Sequence, residues 1–203
     1  MKLPASDTCT PEKPSRVSSS ARPAAVYGPP SAAPKRIRLR DDPRLVGIVQ
    51  PRDGSLGSER IEQRFEVAPL GTLKAGRIHV LPSLVIIPTG CDALIEQTDR
   101  GYVLTGNRGT NNECRVIFRH AYVGARVQIR APSGAADAHI GFLGHRDFEE
   151  VHGFSIVQPK ASRGGNGGSL RITLDYRAGP LCELQGFVWR GGLLQIDSVS
   201  LSP

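Results

Sequence analysis

From residue 59 onward, apolar side chains alternate with polar ones in short runs, and Gly, Pro, Asn or Asp break the runs. The breaks come about every eight to twelve residues, a spacing typical of all-β folds. SLRITLDYR is the cleanest run, with Leu170, Ile172, Leu174 and Tyr176 on one face. ARVQIRAP sets Val127 and Ile129 against Arg126, Gln128 and Arg130, and CRVIFRHA sets Val116 and Phe118 against Arg115, Ile117 and Arg119. RFEVAPL places Phe65 and Val67 together, while Pro82 splits RIHVLPSLVII into two short strands or one bent edge strand. GYVLTG, AHIGFLGH, GFSIVQP, CELQGFVWR and LLQIDSVSLS complete about ten candidates. RDFEEVH is the best helical fragment and supports one or two turns at most. Strands at this spacing without intervening helices predict an all-β fold, an antiparallel sandwich over residues 59–203.

The closing strand breaks its own period. Leu194 and Ile196 occupy even positions, whereas Val199 and Leu201 occupy odd ones. Burying all four on one face requires a one-residue slip near Asp197–Ser198, which a β-bulge supplies. Such a bulge predicts the Asp197 carboxylate outward, bonded to backbone amides or solvent.

Residues 1–58 have a different texture, with nine prolines, many serines and few large apolar side chains. Such a segment buries too little to offset its ordering entropy, so a disordered leader is predicted. The exception is LVGIV, residues 45–49, which could add an early strand. Charge divides at the same place. Residues 1–50 hold nine Lys/Arg against four Asp/Glu, or +5, and the other 153 hold 17 against 15, or +2. A nearly neutral folded part argues against a nucleic-acid groove in the body of the domain. In the leader, PKRIRLR groups Lys35, Arg36, Arg38 and Arg40, which suits nuclear import or contact with nucleic-acid phosphates. A solubilising linker is the plainer reading.

The cysteines, Cys9, Cys91, Cys114 and Cys182, form no CxxC pair. Free buried thiols are the favoured reading, with one bridge among Cys91, Cys114 and Cys182 left open. MKLPASDTCTPEKPSR lacks the apolar core of a signal peptide, and no run is long enough to span a bilayer. The expectation is an intracellular protein, nuclear if PKRIRLR directs import.

Candidate chemistry is thin. HIGFLGHRDFEEVHGF gathers His139, His145, His152, Asp147, Glu149 and Glu150, but at no recurring zinc spacing, so it reads as a charged connection between strands. Asp147 and Glu149 are spaced to share a strand face, as a glycosidase pair requires. Neither a GxSxG elbow nor a GxxxxGK[ST] loop occurs, and no cofactor or metal is expected. Arg115 with Arg119, and Arg126 with Arg130, would make a basic sheet face if their strands were hairpin partners. Trp189 shares a face with Phe187, and an exposed indole there would stack on a sugar ring, with Tyr122 a second aromatic. A core tryptophan is the alternative.

CRVIFRHAYVGARVQIRAPSG and the terminal GGLLQIDSVSLSP resemble strands of concanavalin A-like lectin and glucanase sandwiches and of jelly-roll carbohydrate-binding modules, over residues 100–203. The glucanases carry a Glu-x-Asp-x-x-Glu strand, and DFEEVHGF departs from it. What the resemblance implies is a non-enzymatic module binding carbohydrate or protein, with Trp189, Tyr122, Arg126 and Arg130 as ligand-binding candidates. Two other readings remain. One is a capsid-like viral structural or accessory protein whose basic arm meets nucleic acid, and the other is a glycoside hydrolase on the same sandwich.

Overall fold

A computed structural model describes residues 45, 60–66, 68, 70–107, 109, 111–144, 148–157, 169–179 and 183–203. The predicted leader, including Lys35, Arg36, Arg38 and Arg40, lies outside these residues apart from Leu45. No helix occurs among the described residues. Their strands, in chain order, are β1 (Ile61–Gln63), β2 (Gly71–Leu73), β3 (His79–Val80), β4 (Leu84–Pro88), β5 (Ala93–Thr98), β6 (Gly101–Thr105), β7 (Asn112–Tyr122), β8 (Gly124–Ala131), β9 (Ala138–Gly144), β10 (Glu150–Ile156), β11 (Leu170–Arg177), β12 (Leu184–Gly191) and β13 (Gln195–Ser202).

They form two antiparallel sheets. The seven-stranded sheet runs β11-β8-β13-β6-β5-β2, with β1 also pairing β13, and the six-stranded sheet runs β10-β9-β12-β7-β4-β3. Their facing sides meet in one core that includes Phe118, Phe142, Phe187 and Trp189 from one sheet and Leu104, Ile129, Leu174 and Ile196 from the other. Each fully buried side chain of this size contributes about 1.5–3 kcal/mol relative to exposure. The antiparallel sandwich expected from alternation is the architecture observed.

The bulge forms where the closing strand requires it. Between β13 and β8, Ile196 pairs with Ile129 and Ser198 with Gln128, so Asp197 is the extra residue. Leu194, Ile196, Val199 and Leu201 consequently all reach the core, each at 0% exposure. The Asp197 carboxylate behaves differently from expectation. It accepts from the guanidinium of Arg130, Nε–H at 2.8 Å and Nη2–H at 2.7 Å. Both side chains are largely buried, and a charge removed from water is held best by a charged partner.

Other expectations shift locally. The described residues of RFEVAPL form no strand, and Phe65 adopts φ 48° in the link between β1 and β2 and inserts its ring into the core. Pro82 does separate two short strands, β3 and β4. β5, ALIEQT, escaped the reading altogether because its apolar residues stop after three positions.

A second apolar cluster lies on the outer side of the six-stranded sheet. Val85, Ile87, Ile117, Leu143 and Val188 point away from the main core yet are buried, together with Leu45. Strand β4 is consequently buried at every position from Leu84 to Pro88.

Candidate functional site

The four arginines of the proposed basic face do not share a sheet. β7, with Arg115 and Arg119, belongs to the six-stranded sheet, and β8, with Arg126 and Arg130, belongs to the seven-stranded one. The chain crosses between sheets at Val123, whose N–H donates to Ser202 O (3.0 Å) and whose carbonyl accepts from Ala178 N–H (2.7 Å). A β-arch rather than a hairpin joins β7 to β8, so the condition for a common basic face is not met. Each guanidinium has its own acceptor: Glu113 for Arg115 (3.1 Å), the Pro82 carbonyl for Arg119 (3.2 Å), Asp175 for Arg126 (2.9 Å) and Asp197 for Arg130.

The aromatic candidates lie inward. Trp189 is at 0% exposure, and its indole N–H donates to the Gly192 carbonyl at 3.0 Å. Tyr122, at 4%, packs edge-on against Phe118 with ring centroids 5.9 Å apart, and burial pushes its phenol pKa up. Neither ring presents a face to solvent. Alternation assigns a side chain to a face but does not say which face is interior, and here the Phe187–Trp189 face is the interior one.

Cys91 and Cys114 are both free. The Cys91 thiol donates to Asn112 Oδ1 at 3.0 Å, while burial, with Cys91 nearby, pushes the Cys114 thiol up to about 12. A thiol so poised is not a nucleophile at neutral pH. Asp147 and Cys182 lie outside the described residues, and Glu149 is exposed. Among the described residues, no three His, Cys, Asp or Glu side chains converge to hold a metal ion.

What the fold does bring together comes from three neighbouring strands. On the outer side of the six-stranded sheet, Glu150 of β10 lies between His139 of β9 and Arg190 of β12. His139 Nε2 is 2.6 Å from Glu150 Oε1, and Arg190 Nη1–H donates to Oε2 at 3.1 Å. Bare backbone beneath makes this possible. Gly141 and Gly153 are directly opposed in the β9–β10 ladder, and a Cβ on either would overlap the Glu150 carboxylate. The glutamate lies flat over the two glycines, held by a register shift between Glu150 and His152. Burial raises its pKa, but hydrogen bonding and charge from His139, with Arg190, outweigh that and hold the carboxyl below the usual Glu value. The three side chains keep 16%, 33% and 37% of their surface accessible.

The inner side of the same edge strand carries rings. His152 stacks on Tyr176 of β11 at 4.9 Å and 10°, and Tyr176 stacks on Phe142 at 5.3 Å and 20°. Phe154 meets both His152 (4.6 Å) and Phe142 (5.9 Å) edge-on. This column joins the two edge strands β10 and β11 where the sandwich opens, and His152, Phe154 and Tyr176 are half-buried there.

No family model matches the chain, and no curated protein matches it. Solved structures do resemble it. One is the K2 cleaved adhesin domain of Lys-gingipain, 13% identical, covering 72% of this chain and 99% of that one with a TM-score of 0.46. Another is a family 29 carbohydrate-binding module from Piromyces equi, 7% identical over 70% of this chain and 91% of that one, TM-score 0.39. A third is the Clostridium thermocellum xylanase 10B containing CBM22-1 and GH10 modules, 13% identical over 70% of this chain and 28% of that one, TM-score 0.37.

The polar stretch HIGFLGHRDFEEVHGF thus supplies two of the three polar groups and part of the ring column. Read as a hairpin, it sets Gly141 opposite Gly153 and brings His139 toward Glu150. Arg190 has no such local signal, because β12 reaches β9 from more than forty residues away.

Proposed function

We propose that the domain is a binding module for glycans and takes its ligand on the outer side of the six-stranded sheet at Glu150, His139 and Arg190. The observation that carries this reading is the ionised, partly exposed carboxylate held flat over Gly141 and Gly153 between an imidazole and a guanidinium. A sugar presents adjacent hydroxyls that both donate and accept. A carboxylate with spare lone pairs, beside a guanidinium with spare N–H groups, matches such a pair of hydroxyls in a fixed plane. The site is rigid because its members stand on three hydrogen-bonded strands rather than on loops, which lowers the ordering cost of binding.

The ligand class is tested by retention of the full chain on insoluble and arrayed neutral polysaccharides. The expected result is retention that Arg190→Ala and Gly153→Ala each reduce at least tenfold while thermal unfolding changes little. In Gly153→Ala the new methyl meets both the end of Glu150 and the His139 ring, so all three groups remain but their geometry is lost. Retention on no glycan, or retention indifferent to both substitutions, overturns the reading.

A further inference from the structure

The outward side of the seven-stranded sheet carries a charge pattern that packing does not account for. Alternation on β11 turns Leu174 into the core, so Arg171, Thr173, Asp175 and Arg177 face out, and all four are exposed. The β8–β11 ladder sets Arg171 opposite Arg130, Thr173 opposite Gln128, Asp175 opposite Arg126 and Arg177 opposite Gly124. Arg126 and Arg130 have acceptors in Asp175 and Asp197. Among the described residues, the guanidinium groups of Arg171 and Arg177 have none. Arg171 stands against a second arginine, and like charges directly opposed in a ladder are unfavourable. Arg177 stands against a glycine, which offers it no partner. Four guanidinium groups against two carboxylates leave this patch at +2, with both unpartnered members on the edge strand.

We propose that Arg171, Arg177 and Arg126, with Thr173 and Gln128 between them, bind an anionic polysaccharide through its sulfate or carboxylate groups. Guanidinium forks match such oxyanions in two parallel hydrogen bonds. Arg171 and Arg177 lie six positions apart on one strand, about 20 Å, so they engage separate groups of one extended chain rather than a single small ion. The Thr173 hydroxyl and the Gln128 amide lie between the arginines and suit the hydroxyls of the intervening sugars. Nucleic acid fits less well, because Tyr176 of the same strand points inward and stacks on Phe142, leaving it no face for a base. Arg130 adds charge without contact, since Asp197 holds it and little of it is accessible. This face belongs to the opposite sheet from Glu150 and does not rest on that site.

The test measures binding of the full chain to dextran sulfate and to polygalacturonate across a salt series, with neutral dextran for comparison. Arg171→Gln with Arg177→Gln is expected to weaken binding to at least one anionic polymer tenfold or more at low salt. The slope of log Kd against log salt should fall by about two, one for each lost contact. The Tm of this variant should hold or rise slightly, because Arg130 no longer faces a like charge. Arg77→Gln with Arg100→Gln removes two exposed charges elsewhere in the folded part and should change affinity less than twofold. The loss should persist when Lys35, Arg36, Arg38 and Arg40 of the leader are also replaced by Gln. Binding to neither polymer, an equal loss from the Arg77 and Arg100 variant, or binding carried by the leader alone overturns the proposal. So does full competition by inorganic sulfate at equal sulfate concentration. A single-stranded oligonucleotide that binds more tightly than both polymers, through the same two arginines, overturns the assignment to polysaccharide. Retention on neutral glycans with the Arg190 and Gly153 variants is read separately, so either site can fail without the other.

Discussion

The outer sides of the two sheets obey different rules. On the seven-stranded sheet, Arg171, Thr173, Asp175 and Arg177 of β11 and Gln128 of β8 stand in water, while their alternate neighbours fill the core. On the six-stranded sheet, the outward residues at the centre are Val85, Ile117 and Val188, as buried as those that face inward. One sheet is amphipathic, and the other is buried on both sides at its centre. Leu45, Ile78 and Phe148 join these residues in one outer cluster, and the Glu150 trio lies beside it on the same face.

Introducing a charge at equivalent outward positions tests this contrast most severely. Val85→Asp buries a carboxylate opposite Ile117 and Val80 and should cost more than about 3 kcal/mol, read as a fallen urea midpoint or failure to fold. Thr173→Asp, outward on the other sheet, should change stability by no more than about 0.5 kcal/mol. Comparable losses from the two would mean that both outer sides are alike.

This contrast also explains how far the sequence could be read. The period-two alternation of ARVQIRAP and SLRITLDYR assigns faces because one face meets water, and both strands lie where that logic predicts. LVIIP has no period, since a strand buried on both sides has no polar phase to mark it. In CRVIFRHA the parity is correct, with Ile117 beside Arg115 and Arg119, yet parity cannot reveal that the distant Leu45 joins the same cluster as Ile117. The bulge at Asp197 was legible because two apolar pairs of opposite phase must share one core. Its partner Arg130 was not, because the order of strands β11-β8-β13 is a property of the assembled sheet. The same holds for Arg190 in the charged trio and for the arch that separates the arginines of β7 and β8.

Asp197 gives the next largest effect. Arg130 keeps only 10% of its side-chain surface, so Asp197→Ala strands a guanidinium with no counter-charge. A loss of about 2–3 kcal/mol is expected, and adding Arg130→Met should restore most of it. Deleting Ser198 instead moves Asp197 into the ladder and closes the bulge while keeping Val199 and Leu201 inward, and should cost no more than about 1 kcal/mol. A deletion as damaging as Asp197→Ala would show that the bulge serves more than register.

Glu150 comes third, and its effect depends on pH. Its folded pKa lies below the unfolded Glu value of about 4.3, so folding favours the ionised form. The stabilisation is present in full above that unfolded value and is lost as pH falls through the lower folded value. Thermal unfolding of the full chain should therefore show a stability advantage over Glu150→Gln at pH 6 that shrinks steadily between about pH 5 and pH 3. An advantage that grew on acidification would mean that burial, rather than His139 and Arg190, sets the state of this carboxyl.

The smallest effect belongs to the most conspicuous pair on the wet side. Arg126 and Asp175 are directly opposed in the β8–β11 ladder and hydrogen-bonded at 2.9 Å, yet their side chains are 42% and 57% exposed. Water screens them, and fixing two mobile side chains costs entropy, so a double-mutant cycle with Arg126→Ala and Asp175→Ala should give a coupling of about 0.2–1 kcal/mol. Raising salt to 1 M should erase most of it, because the screening length then falls to about 3 Å. The Arg190–Glu150 cycle, measured in the same salt series, should retain more of its coupling, since Glu150 keeps only 16% of its surface. Equal salt sensitivity in the two cycles would place Glu150 in the same solvated environment as Asp175, and would leave the trio no better preorganised for a ligand than an ordinary surface pair.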